Sequence, residues 1–460
     1  MRRVFPLAAL LLSACAVMEP GYERPGLPTP NAWPESAAAP ATAQAVLPEW
    51  RVFFADEKLV TLIDLALEEN RDLRIAALNI ERARAQYGVQ RAQSVPAVGA
   101  VGSADIGGAG PNGGDDTVTR QYSAGVGITN FELDLFGRVR GLNRAALQRY
   151  FATADARDSV QIALIAEVAN AYLNYAGDLE LLRLAQETAE SQQQSLSLTQ
   201  QRFEAGAASM LDVTRAQTIV ETARADVARF AAQAARDENA LVLLLGAPLP
   251  DALRPTTIAD VRFGVEELPP GLPSNVLLNR PDVREAEHGL REANANIGAA
   301  RAAFFPRITL TGFAGEIDPQ FENLFTGVSN QIWSFTPQVS IPIFQGRALR
   351  SQLGVANTDR DIAVAQYERA IQVAFREVAD ALATRAAIGD ELAARERLAS
   401  AAGETYRLSD ARYREGVDNY LSVLDAQRSA YAAQQGLVTA RVARATNFVT
   451  LYKTLGGGER

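Results

Sequence analysis

Cys15 is the only cysteine in this chain of 460 residues. It sits where a thiol can become a lipid anchor. Met1-Arg2-Arg3 is a positive start, Val4 to Leu12 is a short apolar run, and Leu12-Ser13-Ala14-Cys15 reads as a cleavage box. The apolar run is too short to span a bilayer, so residues 1–14 read as an export signal. The tetrapeptide has the form of a bacterial lipobox, whose cysteine becomes the acylated first residue of the mature chain. An ordinary signal peptide with an incidental cysteine is the alternative. Ala16 follows rather than Asp, which in lipoproteins implies sorting to the outer membrane. One cysteine also excludes an internal disulfide and a cysteine-based metal cluster.

Other side chains carry charge at suggestive spacings. Leu421 and Asp425 are four apart and so share one helical face. Repeated around a symmetry axis, they would set an apolar ring beside a carboxylate ring, and such a ring favours cations at a constriction. Equally, Leu421 could pack in a helical seam and Asp425 be a solvated charge. Arg412 and Tyr413 occupy the last turn before Gly416, where a cation favours the helix C-terminus. His288, the only histidine, stands beside Glu285 and Glu287 in an expected helix and reads as a surface residue. There is no phosphate loop, nucleophile elbow or paired-histidine metal motif, so an enzyme, a cofactor and a metal are not expected. A net charge of −9 with no basic stripe argues against nucleic acid.

The elements that would position these residues come in two copies. Arg202-Phe203-Glu204-Ala205-Gly206 with Leu211, Val213, Ala216 and Gln217 recurs 210 residues later as Arg412-Tyr413-Arg414-Glu415-Gly416 with Leu421, Val423, Ala426 and Gln427. Arg91-Ala92 and Pro96 recur as Arg301-Ala302 and Pro306, and Phe136-Gly137-Arg138 recurs as Phe344-Gln345-Gly346-Arg347. A duplication this long means one fold built twice. No proline interrupts Asn112 to Ala247 or follows Pro342. Gly137–Arg202 and Arg347–Arg412 therefore read as helices of 66 residues, about 100 Å long at 1.5 Å per residue. Tyr367, Ile371, Ala374, Val378, Ala381, Arg385, Ile388 and Leu392 step by four and three, as do Ile162, Ile165, Ala169, Tyr172, Ala176 and Leu179. That is a left-handed coiled-coil seam. Gly206 and Gly416 read as left-handed caps, followed by return helices Ser209–Gly246 and Asn419–Leu455. Asp56–Asn70 and Arg71–Val95 read as shorter helices, with Pro281–Phe305 matching the latter. Arg71–Val95 stacked on a return helix would cover one long partner.

Period-two runs mark two β-hairpins, at about 97–136 and 307–344. The second consists of Arg307–Glu316 and Gln331–Phe344, with Trp333, Phe335, Val339, Ile341 and Ile343 on one face. The expected organisation is a signal at 1–14, a lipidated arm at 15–55 and a first repeat at 56–246, ending in a helical hairpin at 137–246. A connector at 247–273 and a second repeat at 274–460, with its helical hairpin at 346–455, follow. No later stretch is a spanning helix, so any membrane crossing must be a barrel. Small transmembrane barrels start at about eight strands, and one chain offers four. A trimer of twelve strands is the preferred solution; a dimer of eight is formally possible.

Gly21-Tyr22-Glu23-Arg24-Pro25, Trp50 with Phe53-Phe54, Asp56, Asn70 with Asp72-Leu73, Phe131 to Arg138, Asn279 to Arg284, Ala300 to Pro306 and Gly416 to Leu421 together resemble the TolC-like outer-membrane efflux proteins, and the lipobox points to their OprM/NodT-type lipoprotein branch. The resemblance covers essentially the whole mature chain. It implies a mainly α chain that contributes four strands to a homotrimeric twelve-stranded β-barrel and long helices to a periplasmic tunnel, lipid-anchored and inserted in the outer membrane. The implied function is the passive exit duct of a tripartite pump, meeting a periplasmic adaptor and an inner-membrane transporter. The family's constriction residues fall on Leu421 and Asp425. Positions matching Arg412 and Tyr413 hold its closed state; Asp212 is one candidate partner for Arg412. Gly206 and Gly416, with the residues after them, would receive the adaptor, unless they are purely structural turns. The site matching Asp425 in the first repeat is Thr214 or Arg215, so the two tips differ. A duct for type I protein secretion is the alternative cargo, and a pore-free envelope coiled coil the alternative class; the strand hairpins argue against the latter. Cys15→Ser should abolish metabolic palmitate labelling while leaving assembly intact; labelling that persists contradicts the lipobox reading.

Overall fold

The computed structural model describes residues 18–30, 33, 48–108, 118–264 and 274–458. Cys15, the export signal, much of the arm, the tip of the first β-hairpin and residues 265–273 of the connector lie outside the described residues. Along the chain come α1 (Trp50–Phe53), α2 (Glu57–Glu69), α3 (Arg71–Ala92), β1 (Val98–Gly108), β2 (Val118–Leu133), α4 (Arg138–Glu204) and α5 (Met210–Leu245). The second repeat supplies α6 (Pro281–Ala302), β3 (Arg307–Asp318), β4 (Asn330–Ser340), α7 (Ala348–Arg414) and α8 (Tyr420–Thr454), with short 3-10 turns in the connector. Both long helices run for 67 residues. They start one residue later and end two residues later than the sequence predicts.

The chain divides into two compact units that cut across the repeats. One holds residues 78–155 and 284–369 with the arm up to Gly26; the other holds 27–77, 156–283 and 370–460. The first contains a four-stranded antiparallel sheet in the order β1-β2-β3-β4. Its outer strands, β1 and β4, have 11 residues each and are exposed along almost their whole length. Gly125 and Gly315 face each other across β2 and β3. A Cβ on either would come within 2.3 Å of the opposing carbonyl oxygen, so only glycine allows this approach. A bulge between Ile128 and Phe131 places Asn130 at φ 51°.

The last strand is shorter than expected. β4 ends at Ser340, two residues before Pro342, while Pro337 within this edge strand keeps its register with Leu310. Ile341, Ile343 and Phe344 therefore lie beyond the strand, with Ile343 and Phe344 about nine-tenths exposed (94% and 89%).

The second unit is built on the heptad seam. Ile371, Ala374 and Val378 are fully buried and Ala381, Ile388 and Leu392 nearly so. The other seam, Ile165, Ala169, Tyr172 and Ala176, is equally covered. Helix α1 is an addition to the sequence reading, which placed it in an irregular arm. It forms because Trp50, Phe53 and Phe54 dock on the core: Phe53 and Phe54 each pack on Tyr452, with ring centroids 5.0 and 5.4 Å apart. Burying each aromatic ring is worth roughly 1.5–3 kcal/mol, enough to order one helical turn that would not persist alone.

A duplicated joint links the end of each return helix to the residue that opens α3 or α6. Asn70 caps α3, accepting from Leu73 N–H (2.9 Å), and donates through Nδ2 to the Leu244 carbonyl at the end of α5 (2.8 Å). In the second repeat, 210 residues on, Arg280 donates to the Thr454 carbonyl at the end of α8 (2.6 Å) and to Asp282 and Glu377. Both joints satisfy carbonyls that a helix end leaves without partners. Asn70→Ala removes the cap and leaves the Leu244 carbonyl unpaired. It should destabilise the helical part by about 1–3 kcal/mol; an unchanged melting midpoint by circular dichroism at 222 nm would contradict this.

Candidate functional site

The two helical tips share one backbone design. Gly206 and Gly416 lie at φ 71° and 75°. Gly206 N–H donates to Phe203 O (2.9 Å) and Ala207 N–H to Arg202 O (2.8 Å); Gly416 and Val417 repeat the pattern on Tyr413 and Arg412 (3.0 and 2.9 Å). This is the Schellman arrangement. Open space surrounds both Cα atoms, so the positive φ alone demands glycine. Ser209 and Asp212 then close a capping box at the start of α5, and Asn419 caps α8 through Ser422 N–H (3.1 Å).

The side chains of the tips differ. Arg412 forms a two-pronged pair with Asp418 of its own turn, at 2.6 and 3.1 Å. Asp212, the candidate from sequence, instead accepts from Ser209. Arg412 holds the Asp418 carboxyl below its usual range. The first tip carries Ala208 where the second carries Asp418, so Arg202 has no such acid. Arg202 lies over the Tyr413 ring at 4.7 Å, and Tyr413 in turn meets Tyr420 at 5.3 Å. Tyr413 thus joins the ends of α4 and α7 by a cation–π contact.

Leu421 and Asp425 lie on the exposed side of α8. Leu421 is 47% exposed and the Asp425 side chain 67%. Their neighbours Val423 and Leu424 fill the seam instead, packing with Leu196, Ala216 and Val220. Within one chain, then, Leu421 is not the seam residue that the alternative reading required. Asp425 has Arg428 one turn along, at 3.9 Å. Deeper on α8, Tyr431 donates to Asp226 of α5 (3.2 Å). Burial and the adjacent Asp226 push the Tyr431 hydroxyl up to about 12, so it remains a donor at neutral pH. Helical spacing could have revealed Arg428. The Tyr431–Asp226 contact joins residues from different repeats and depends on packing.

His288 is not a surface residue. Its ring packs on Phe151 (5.4 Å), its Nδ1 meets Gln148 Oε1 (2.7 Å) and its Nε2 lies 3.4 Å from Asp155. Burial lowers its pKa against the opposing pull of Asp155. Helix α6 is covered here by α4, which local sequence around His288 does not disclose. Among the described residues no group of three His, Cys, Asp or Glu could hold a metal, and no helix is long and apolar enough to cross a membrane.

Comparisons with known proteins agree with this architecture. The outer membrane efflux protein family matches residues 62–247 and 272–457, once for each repeat. The chain is 44% identical over 460 residues to the probable efflux pump outer membrane protein TtgC of Pseudomonas putida, covering 98% of this chain and 94% of that protein. It is 43% identical to the outer membrane protein OprJ of Pseudomonas aeruginosa, over 98% and 95%. The crystal structure of the open state of the Neisseria gonorrhoeae MtrE outer membrane channel superposes with a TM-score of 0.87 at 38% identity, over 96% of this chain and 98% of that one. A CusC crystal structure matches at 0.86 and 38%, over 96% and 99%. This chain belongs to the outer membrane efflux protein family, and its place of work is the outer membrane, as an efflux channel.

Proposed function

We propose that three copies of this chain close a twelve-stranded barrel and line a helical tunnel, and that the assembly passively conducts small molecules out of the cell. In this reading it is the exit duct of a tripartite pump, acylated at Cys15, with an inner-membrane transporter and a periplasmic adaptor upstream. The adaptor meets the turns at Gly206 and Gly416. The duct performs no chemistry of its own. The observation that carries the reading is the sheet with two free edges. Strands of 11 residues match the roughly 9–11 needed to cross a bilayer, and free edges are not tolerated in lipid.

The tips supply the gate. Leu421 and Asp425 are exposed in the single chain, on the side of α8 away from the filled seam. Three copies would form a bulky apolar ring beside three carboxylates. Asp418 and Arg412 stiffen the turn that carries α8, and Arg202 over Tyr413 ties the two hairpins together. Opening requires these contacts at the tips to yield, while the buried seam stays packed.

Replacing Leu421 and Asp425 together with Ala should raise single-channel conductance in planar bilayers and reduce cation preference. Arg412→Ala, and equally Asp418→Asn, should raise conductance with less effect on selectivity. Unchanged currents in all three variants would place the constriction elsewhere.

A further inference from the structure

The strands give the sheet one apolar and one polar face. Val126, Ala314 and Trp333 stand side by side, as do Ile128, Gly312 and Phe335. Ser123, Thr311, Ser334 and Thr336 alternate with them and so belong to the other face. In a membrane barrel the apolar face meets lipid and the polar face lines the lumen. The turn between β3 and β4 leans onto the apolar face. Tyr122 and Asp318 are direct partners across β2 and β3, and Asp318 shares the face of Ala314. Both residues hold the turn. The Tyr122 ring meets Phe321 edge-on at 5.7 Å. The Asp318 carboxylate accepts from Gln320 N–H (2.8 Å) and from the Asn323 amide (3.1 Å).

The turn has polar and apolar parts with different duties. Its polar groups cover the two carboxylates of the apolar face: Asp318 as above, and Glu316 through the Ser329 hydroxyl. Leu324 is buried, whereas Phe321, Phe325 and Val328 stay 59, 74 and 71% exposed, near Trp333 at 80%. The height agrees with a membrane boundary. From Ile308 to Asp318 the strand covers about 33 Å at ~3.3 Å per residue, or roughly 23 Å of height at a tilt of about 45°. The apolar band of such barrels is about 25 Å tall and ends in aromatic girdles. This end of the sheet is the one away from α3 and α6, which lead into β1 and β3. We propose that the β3–β4 turn is a foot seated on the membrane, with Phe321, Phe325 and Val328 at the outer-leaflet boundary between acyl chains and headgroups, outside the barrel wall and clear of the pore mouth. The occupant is lipid because the exposed patch continues the lipid-facing side of the sheet. This rests on the barrel reading above.

A nitroxide attached at Phe325→Cys, and separately at Val328→Cys, tests this in vesicles of phosphatidylethanolamine and phosphatidylglycerol. Collisions with dissolved oxygen, which concentrates in lipid, are compared with collisions with a water-soluble nickel chelate. Phe335→Cys and Thr336→Cys, neighbours on opposite faces of β4, calibrate lipid and lumen. Wild-type protein treated with the same label gives the background from Cys15. The oxygen-to-nickel ratio at 325 and 328 should be several-fold above that at 336 and approach that at 335. Replacing Phe321 and Phe325 together with Ala should leave single-channel conductance at its wild-type value. Ratios at both turn positions equal to that at 336 put the turn in water, and a raised conductance in the double variant puts it over the pore mouth; either overturns the proposal. Labels shielded from oxygen and nickel alike place the turn against a neighbouring copy and overturn it too. If 335 and 336 do not differ, the barrel reading itself fails and the membrane seat falls with it.

Discussion

A backbone N–H or C=O buried away from water needs a partner, and in hydrocarbon the demand is strictest. This constraint orders nearly everything about the chain. Helices satisfy it internally, and the long helices α4 and α7 do so for 67 residues each. The sheet satisfies it only in its middle. β2 and β3 are paired on both sides, whereas β1 and β4 each offer a free ladder. A chain with that sheet is incomplete alone, and its complement has to be another copy of the same sheet. Gly125 and Gly315 show the same economy of space inside the sheet, where two backbones approach too closely for any side chain.

Helix ends meet the constraint in another way. At the tips, Gly206 and Gly416 turn the chain so that backbone donors fold back on terminal carbonyls. At the opposite ends of the return helices, Asn70 and Arg280 reach across to Leu244 and Thr454. The duplication thus preserves a task, capping the end of a return helix, while the residue that performs it changes from an amide to a guanidinium. Arg280 is the more demanding solution, because a buried cation needs carboxylates, and Asp282 and Glu377 supply them. At the tips the copies diverge further. The pair of Arg412 with Asp418 has no counterpart around Ala208, and Arg202 turns to the Tyr413 ring. The copies differ at the tips, the place proposed above for the gate.

Much of this was legible in the residues because it rests on period and punctuation. Proline-free runs, heptad steps and glycines 210 residues apart mark the long helices and their turns. Alternating runs mark the strands, although β4 ends at Ser340, short of the expected Phe344. What escaped depends on packing between distant segments. Helix α1 exists because Phe53 and Phe54 find Tyr452 and Trp50 joins the same core. His288 is covered by a helix some 140 residues earlier in sequence. Asn70 and Arg280 do not look alike, so their shared role emerges only when the carbonyls they reach are known.

The central claim is that the free ladders of β1 and β4 are closed by other copies of this chain. The number of chains in the purified, detergent-solubilised particle tests it most directly, by light scattering corrected for bound detergent or by native mass spectrometry. Three chains per particle is the predicted result. A monodisperse single chain, stable and folded in detergent, would contradict it.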